Sequence, residues 1–470
     1  MHIKTWYLEA LAKEIHNAKH RVESLAHQVY PSDTLSEFVR GELSKLIHEL
    51  WLIVRDQLRE SNARADAPLS PKCAEVISFW TSGYIQSVIA SVSEADIHSH
   101  PLEMMLYIRE LARQVVPGES IEVVTVPKET LNYSFRPIWQ SRRPVLRIGS
   151  QAIAEQAVKY VELTYPKGEK DNILRSTVFA HELGHYVDHA LGLTKRLLPR
   201  AYAAILPHIP QLRRADVVRA PGVSDIVVAQ LIVSGILTSW LQEAVADTFA
   251  VRVLGPAFYF CYAELAGLIG GTQAGARIEI LDVRAASHPR SSLRIQHLWH
   301  LLRELEDGLP VEVRQATDEI LKMFETRVRV MHGATTIGNR SVALVLIPSV
   351  YEVLERVWQS LLPQVTEIVD ATIPEGNVFK SADYKLARLL VKERLEWLIP
   401  PNEHEGQPVK PSVIINAGWY ARQFSLETIK NRMKSLPDGL EGNHNAVDML
   451  NGLLKYALYA TYVHERWLSA

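Results

Sequence analysis

Cysteine is nearly missing: Cys73 and Cys261 are the only two in 470 residues. They lie far apart, in apolar stretches with helical spacing. That excludes a disulfide scaffold and a cysteine-rich structural zinc site, and leaves two buried free thiols suited to a reducing compartment. An excess of either charge is missing too. Lys and Arg number 51 and Asp and Glu 53, for a net charge of −2. No basic stripe stands out, so nothing electrostatic points to nucleic acid. Residues 1–9 lack the uninterrupted apolar core of a secretory signal. No run reaches the roughly 18 uncharged apolar residues of a membrane span. The nearest, 226–241, is broken by Gln230, Ser234, Gly235, Thr238 and Ser239; 254–271 contains Pro256 and Glu264. Both are expected as buried helices of a soluble protein, so the expected location is cytoplasmic, without a membrane span. No internal repeat or low-complexity tract is found.

What is present is ordinary globular composition, 47% hydrophobic and 22% charged, which excludes wholesale disorder. The length predicts two to three domains. Residues 1–60 carry apolar side chains at helical spacing: Leu35, Phe38, Val39, Leu43, Leu46, Ile47, Leu50 and Trp51. A polar connection follows at 61–71, with helices at about 74–94 and 101–114 and a turn at 116–120. Residues 121–126 and 144–149 are strand candidates. Either can pair with an extended substrate beside a cleft or serve as a core strand. A helix starts near Asp171 or Asn172 and ends at Gly192. The prolines at 199, 207, 210 and 221 make 193–224 an expected loop, long enough to cover a cleft. Helices are expected again at 293–306, 310–331, 345–368, 379–397 and 444–468, with a loop at 332–339 and a linker around 401–411.

The informative stretch is His181-Glu182-Leu183-Gly184-His185. Histidines four apart on a helix share a face and can bind one zinc ion, and the glutamate beside the first can act as general base. A catalytic zinc needs a third protein ligand and keeps a position open for water. His189 lies one turn further, but three residues at successive turns drift around the helix and do not converge easily. Glu243 and Asp247 share a face of an apolar helix, where two carboxylates need a cation. Glu243 is the expected third ligand, and Asp247 the expected support for a ligating histidine. Ser239 and Gln242 read as a capping box at the start of that helix. His288, just before a further helix, suits stabilisation of an oxyanion, with Arg294 nearby.

The motif 181–185 with Glu243-Ala244-Val245-Ala246-Asp247 resembles the gluzincin zinc metallopeptidases. In that group a glutamate on a second helix is the third ligand and an aspartate one turn later supports a histidine. Ser287-His288-Pro289 with Arg294-Ile295 resembles the end of the peptidase domain in the family of the heat-shock membrane protease and the CAAX-processing protease. The resemblance covers about 120–300. This chain departs from the membrane members by lacking their transmembrane helices. Glu243, Ala246, Asp247, Phe249, Ala250, Leu254 and Pro256, with His189, are also similar to ImmA/IrrE-type regulatory metallopeptidases, which act on transcriptional repressors; no helix-turn-helix is evident.

The expected fold is therefore mainly α (α+β): a zincin-like core with a small β-sheet between helical flanks. The expected segments are a helical region at 1–115, the peptidase at 116–300, a helical region at 301–400, the linker 401–411 and a helical segment 412–470. One zinc is expected on His181, His185 and Glu243, with Glu182 as general base and His288 or Arg294 at the oxyanion. The expected substrate is a protein or peptide, and the flanks offer a surface for a regulatory partner. The rival reading is a helical scaffold with a structural zinc.

Overall fold

In the computed structural model, helices dominate and a small sheet joins them, the mainly α architecture that the patterning predicts. The structure describes residues 3–469 except 65–67, 82, 96, 119, 130–132, 138–157, 215–217, 220–222, 270–271, 274–275, 278, 282–287, 306–308, 326–327, 331–332, 338–341, 347 and 436–445. The chain forms two compact units, Met1–Met105 with Gly118–Lys170, and Leu106–Pro117 with Asp171–Ala470. Their limits do not follow the expected boundaries at 115, 300 and 400.

The first unit contains helices α1 (Ile3–Leu25), α2 (Ser44–Ala63), α3 (Pro71–Thr81) and α4 (Tyr84–Glu94). Its sheet has strands β1 (Ser120–Lys128), β2 (Ser134–Pro137) and β3 (Val158–Pro166) in the order β1-β3-β2. β3 runs parallel to β1, with Ser120 opposite Val158, and antiparallel to β2. Leu8 and Ile15 of α1, Ile47 and Leu50 of α2, and Val124 and Tyr160 of the sheet share one apolar core. The sequence patterning misses β2 and also β3. In β3, Tyr160 to Tyr165 are all buried, so the alternation that marks a half-buried strand is absent. Glu162 within it is buried against Ser91, and Glu122 of β1 accepts from Ser32 Oγ at 2.7 Å. The strand candidate at 144–149 lies outside the described residues.

The second unit is built around α5 (Phe179–Leu191), α6 (Leu193–Ile205), α7 (Asp225–Ile232), α8 (Thr238–Leu254), α9 (Pro256–Ile269) and α10 (Ser291–Arg303). The stretch 193–224 is not a loop. α6 and a short helix, Ile209–Arg214, occupy much of it. Pro207 and Pro210 sit in first turns, where no N–H is required, and Pro199 is carried inside α6. Ser239 and Gln242 do not cap a helix. A π turn, Val233–Leu237, joins α7 to α8 into one continuous run, and the true cap is Ser224, which accepts from Val227 N–H. That continuity makes Asp225–Leu254 a 30-residue helix, long and apolar enough to cross a membrane by length and composition. Its second half is packed inside the unit, with Trp240, Leu241 and Ala244 buried.

Two more expectations change. Gly333–Ile337 is a strand paired with Val342–Leu346, where the run of glycine and threonine suggests a loop. The linker is an ordered hairpin, Glu403–His404 against Gln407–Pro408. Glu405 and Gly406 between them both have positive φ, 50° and 74°, as a two-residue hairpin turn requires.

Helices beyond residue 300 brace those of the centre. Three of them are α11 (Pro348–Asp370), α12 (Pro411–Tyr420) and α13 (Ala446–Ser469). Trp358 of α11 donates from Nε1 to the Trp240 carbonyl at 2.8 Å. Asn416 of α12 donates to the Leu254 carbonyl and accepts from Ala257 N–H, fixing the α8–α9 corner. Trp419 donates to the Leu174 carbonyl, and Asn451 of α13 accepts from Leu174 N–H, just ahead of α5.

Candidate metal centre

The helix that carries the histidines begins at Phe179, about two turns later than expected. Asn172 Oδ1 accepts from Arg175 N–H and caps a 3-10 turn, Arg175–Val178, that leads into α5. Gly192 ends α5 with φ 63°, the left-handed conformation expected of a glycine there. Phe179, Ala180, Leu183 and Val187 are buried on the helix, which fixes its rotation. His181 and His185 then project on one face, their rings T-shaped at 4.6 Å.

α8 crosses α5 at Gly184. A Cβ added there would lie 2.7 Å from the Ala246 Cα, so only glycine allows the backbones this close. The approach brings Glu243 against both histidines and Asp247 behind the first. His181 Nε2 and His185 Nε2 are 3.1 Å apart. Glu243 Oε2 is 3.5 Å from His181 Nε2, and its Oε1 is 3.4 Å from His185 Nε2. Ligands at about 2.0–2.1 Å from a tetrahedral zinc lie roughly 3.3–3.4 Å from one another. The three residues therefore match the edges of one coordination polyhedron, and they form the one such cluster among the described residues.

The charge balance also fits a cation. Glu243 and Asp247 are buried in apolar surroundings. Arg294 of α10 reaches both: its Nη1 lies 2.8 Å from Glu243 Oε2, and its Nε and Nη2 donate to Asp247 at 2.8 and 2.7 Å. Its guanidinium also lies 4.5 Å over the Tyr262 ring. One arginine does not neutralise two carboxylates. Burial works to raise the Glu243 pKa, but Arg294 and then His181 and His185 hold it well below the usual range. Asp247 is likewise held down at about 2, by Arg294 and His181 against the cost of burial. The remaining negative charge falls on His181. Burial alone would lower its pKa; Asp247 and Glu243 outweigh that and push it up to about 10. A proton and a dication would compete for the same place.

Asp247 Oδ1 lies 2.9 Å from His181 Nδ1, the ring nitrogen turned away from Glu243. The distance suits a hydrogen bond but the N–H direction does not, and Nδ1 is buried without an aligned acceptor. The Phe258 ring is stacked on His181 at 5.8 Å and backs it.

Glu182 is buried at its base, and its carboxylate has no hydrogen-bond or ion-pair partner among the described residues. His288 is 59% exposed at its side chain, with Nε2 3.4 Å from Glu243 Oε1. It is outside the three-residue cluster. His189 is exposed and also outside it. Ser287 lies outside the described residues. Comparison with family models, curated proteins and solved structures finds no match.

Glu243 and Asp247 stand with the two histidines as expected, and the close approach at Gly184 is what the motif does not announce. A glycine inside a helix costs about 1 kcal/mol relative to alanine, which is a signal for a close approach. Arg294, expected near an oxyanion, instead commits its guanidinium to two carboxylates, Glu243 and Asp247.

Proposed function

We propose that the chain is a zinc-dependent peptidase of gluzincin type that hydrolyses protein or peptide bonds. The observation that carries this reading is the converging set of His181 Nε2, His185 Nε2 and Glu243, with Glu182 unpartnered beside it. The zinc, when bound, supplies an acidified water and a Lewis acid for the substrate carbonyl. Glu182 accepts the proton of the attacking water at its carboxylate and delivers it to the leaving amine. His288, exposed at the rim of the cluster, donates to the oxyanion that develops on the substrate. Arg294 holds Glu243 and Asp247 in place. A cytoplasmic location and a regulatory partner on the helical flanks belong to the same proposal.

Three protein ligands, with no fourth among the described residues, favour an open site over the closed site of a structural zinc. Glu182→Gln tests the reading. It is expected to keep one zinc at this centre by elemental analysis and to lose peptide hydrolysis by about 10²–10⁴-fold. His181→Ala is expected to lose that zinc. Undiminished hydrolysis by Glu182→Gln would remove Glu182 as the base, and full retention of the zinc by His181→Ala would remove the centre.

A further inference from the structure

A second pair of histidines lies in the first unit. His16 and His20 are four apart on α1, and their Nε2 atoms are 3.0 Å from each other. The rings are T-shaped at 4.3 Å with an interplanar angle of 80°, against 4.6 Å and 82° for His181 and His185. Glu23, one turn on, places Oε2 3.0 Å from His20 Nδ1. A carboxylate on the outer nitrogen fixes the tautomer and leaves Nε2 as the ligand atom. Trp51 of α2 backs the pair at 6.0 Å from the His16 ring. Lys19, on the same helix, is held between Glu23 at 3.6 Å and the Trp51 ring at 5.2 Å.

We propose that His16 and His20 bind a second divalent transition ion, with Glu23 orienting His20. Two nitrogen ligands about 2.1 Å from one ion lie roughly 3.0–3.4 Å apart at angles between 90° and the tetrahedral value. Imidazole without thiolate or a carboxylate ligand selects zinc, nickel or copper over magnesium or calcium. The rings are exposed, so water completes the coordination. No third protein ligand joins the pair among the described residues, so this ion exchanges more readily than one held by three.

Calorimetric titration of Zn²⁺ into the chelator-treated full chain tests the site. Wild type is expected to bind in two classes, one tighter and one at least tenfold weaker, with Mg²⁺ giving neither. His16→Gln with His20→Gln should abolish the weaker class and leave the tighter one, because both rings are exposed and support no core. Glu23→Gln should weaken the weaker class about tenfold. His181→Ala should remove the tighter class alone, so failure at one site is distinguishable from failure at the other. A weaker class that survives the double substitution unchanged, or its absence from wild type, would overturn the proposal.

Discussion

Two helical histidine pairs bring their Nε2 atoms together, in opposite surroundings. His16-Asn17-Ala18-Lys19-His20 and His181-Glu182-Leu183-Gly184-His185 are both helical, and their Nε2 pairs are 3.0 and 3.1 Å apart. Helical spacing permits that distance between two ligand atoms without imposing it, since His189, four residues past His185 on the same helix, stays outside the cluster. Where the buried pair has Glu182, the exposed pair has Asn17, so no base stands beside it. Lys19 stands where Gly184 would admit a second helix. Without that crossing no third ligand arrives and the pair stays in water. On the proposed reading, a bare two-histidine motif offers two ligand atoms, and the crossing of a second helix adds a third, Glu243.

The crossing is the largest difference between the pairs, and Gly184→Val removes it. The Ala246 backbone leaves no room for a β-branched side chain, so the helices must part. The expected cost is about 3 kcal/mol of stability, measured by urea unfolding, with loss of the zinc held by Glu243. The α1 pair should bind as before. Unchanged stability together with an unchanged tight class would show that the close approach is not needed. A smaller effect is expected from Asp247→Asn. The asparagine keeps the shape and one of the two acceptors of Arg294 but withdraws a charge from behind His181. Zinc affinity at the centre should fall about 10–100-fold, while hydrolysis at saturating zinc falls less. Affinity equal to wild type would make Asp247 a structural partner of Arg294 only.

Much of the centre was legible in the sequence because its chemistry is local. Two histidines and a glutamate share one helical turn, and Glu243 with Asp247 shares another. Apolar neighbours around those carboxylates mark them as buried. The distant partners were less legible. Trp358, Asn416, Trp419 and Asn451 hold the ends of the site helices from regions that read as separate segments. Nothing in their own periodicity points to Leu174, Trp240 or Leu254. Proline misled at 193–224, since a proline in a first turn looks the same in sequence as one in a loop. The helical run through Val233–Leu237 was hidden by Ser234, Gly235, Thr238 and Ser239, which read as a break and a new cap.

A third histidine gives the finest version of the comparison. His297 of α10 is as buried as His181, and its Nε2 lies 2.9 Å from Thr248 Oγ1. Burial lowers its pKa to about 4, and the attraction of Asp247 does not offset this against His300, Arg294 and Arg252. The direction is opposite to that of His181 because no carboxylate among the described residues pairs with the ring. The folded pKa is below that of the unfolded chain, about 6.5. As pH falls, the unfolded chain therefore binds this proton first. The contribution to stability is complete above about pH 6.5 and is lost between there and pH 4. From pH 7 to 5.5 the loss from this residue is about 1 kcal/mol. His297→Gln should flatten the unfolding free energy over that interval by this amount relative to wild type, measured by urea denaturation of zinc-free protein. Parallel profiles for the two proteins would mean that His297 holds its proton equally well folded and unfolded, and that burial without a carboxylate is not what separates it from His181.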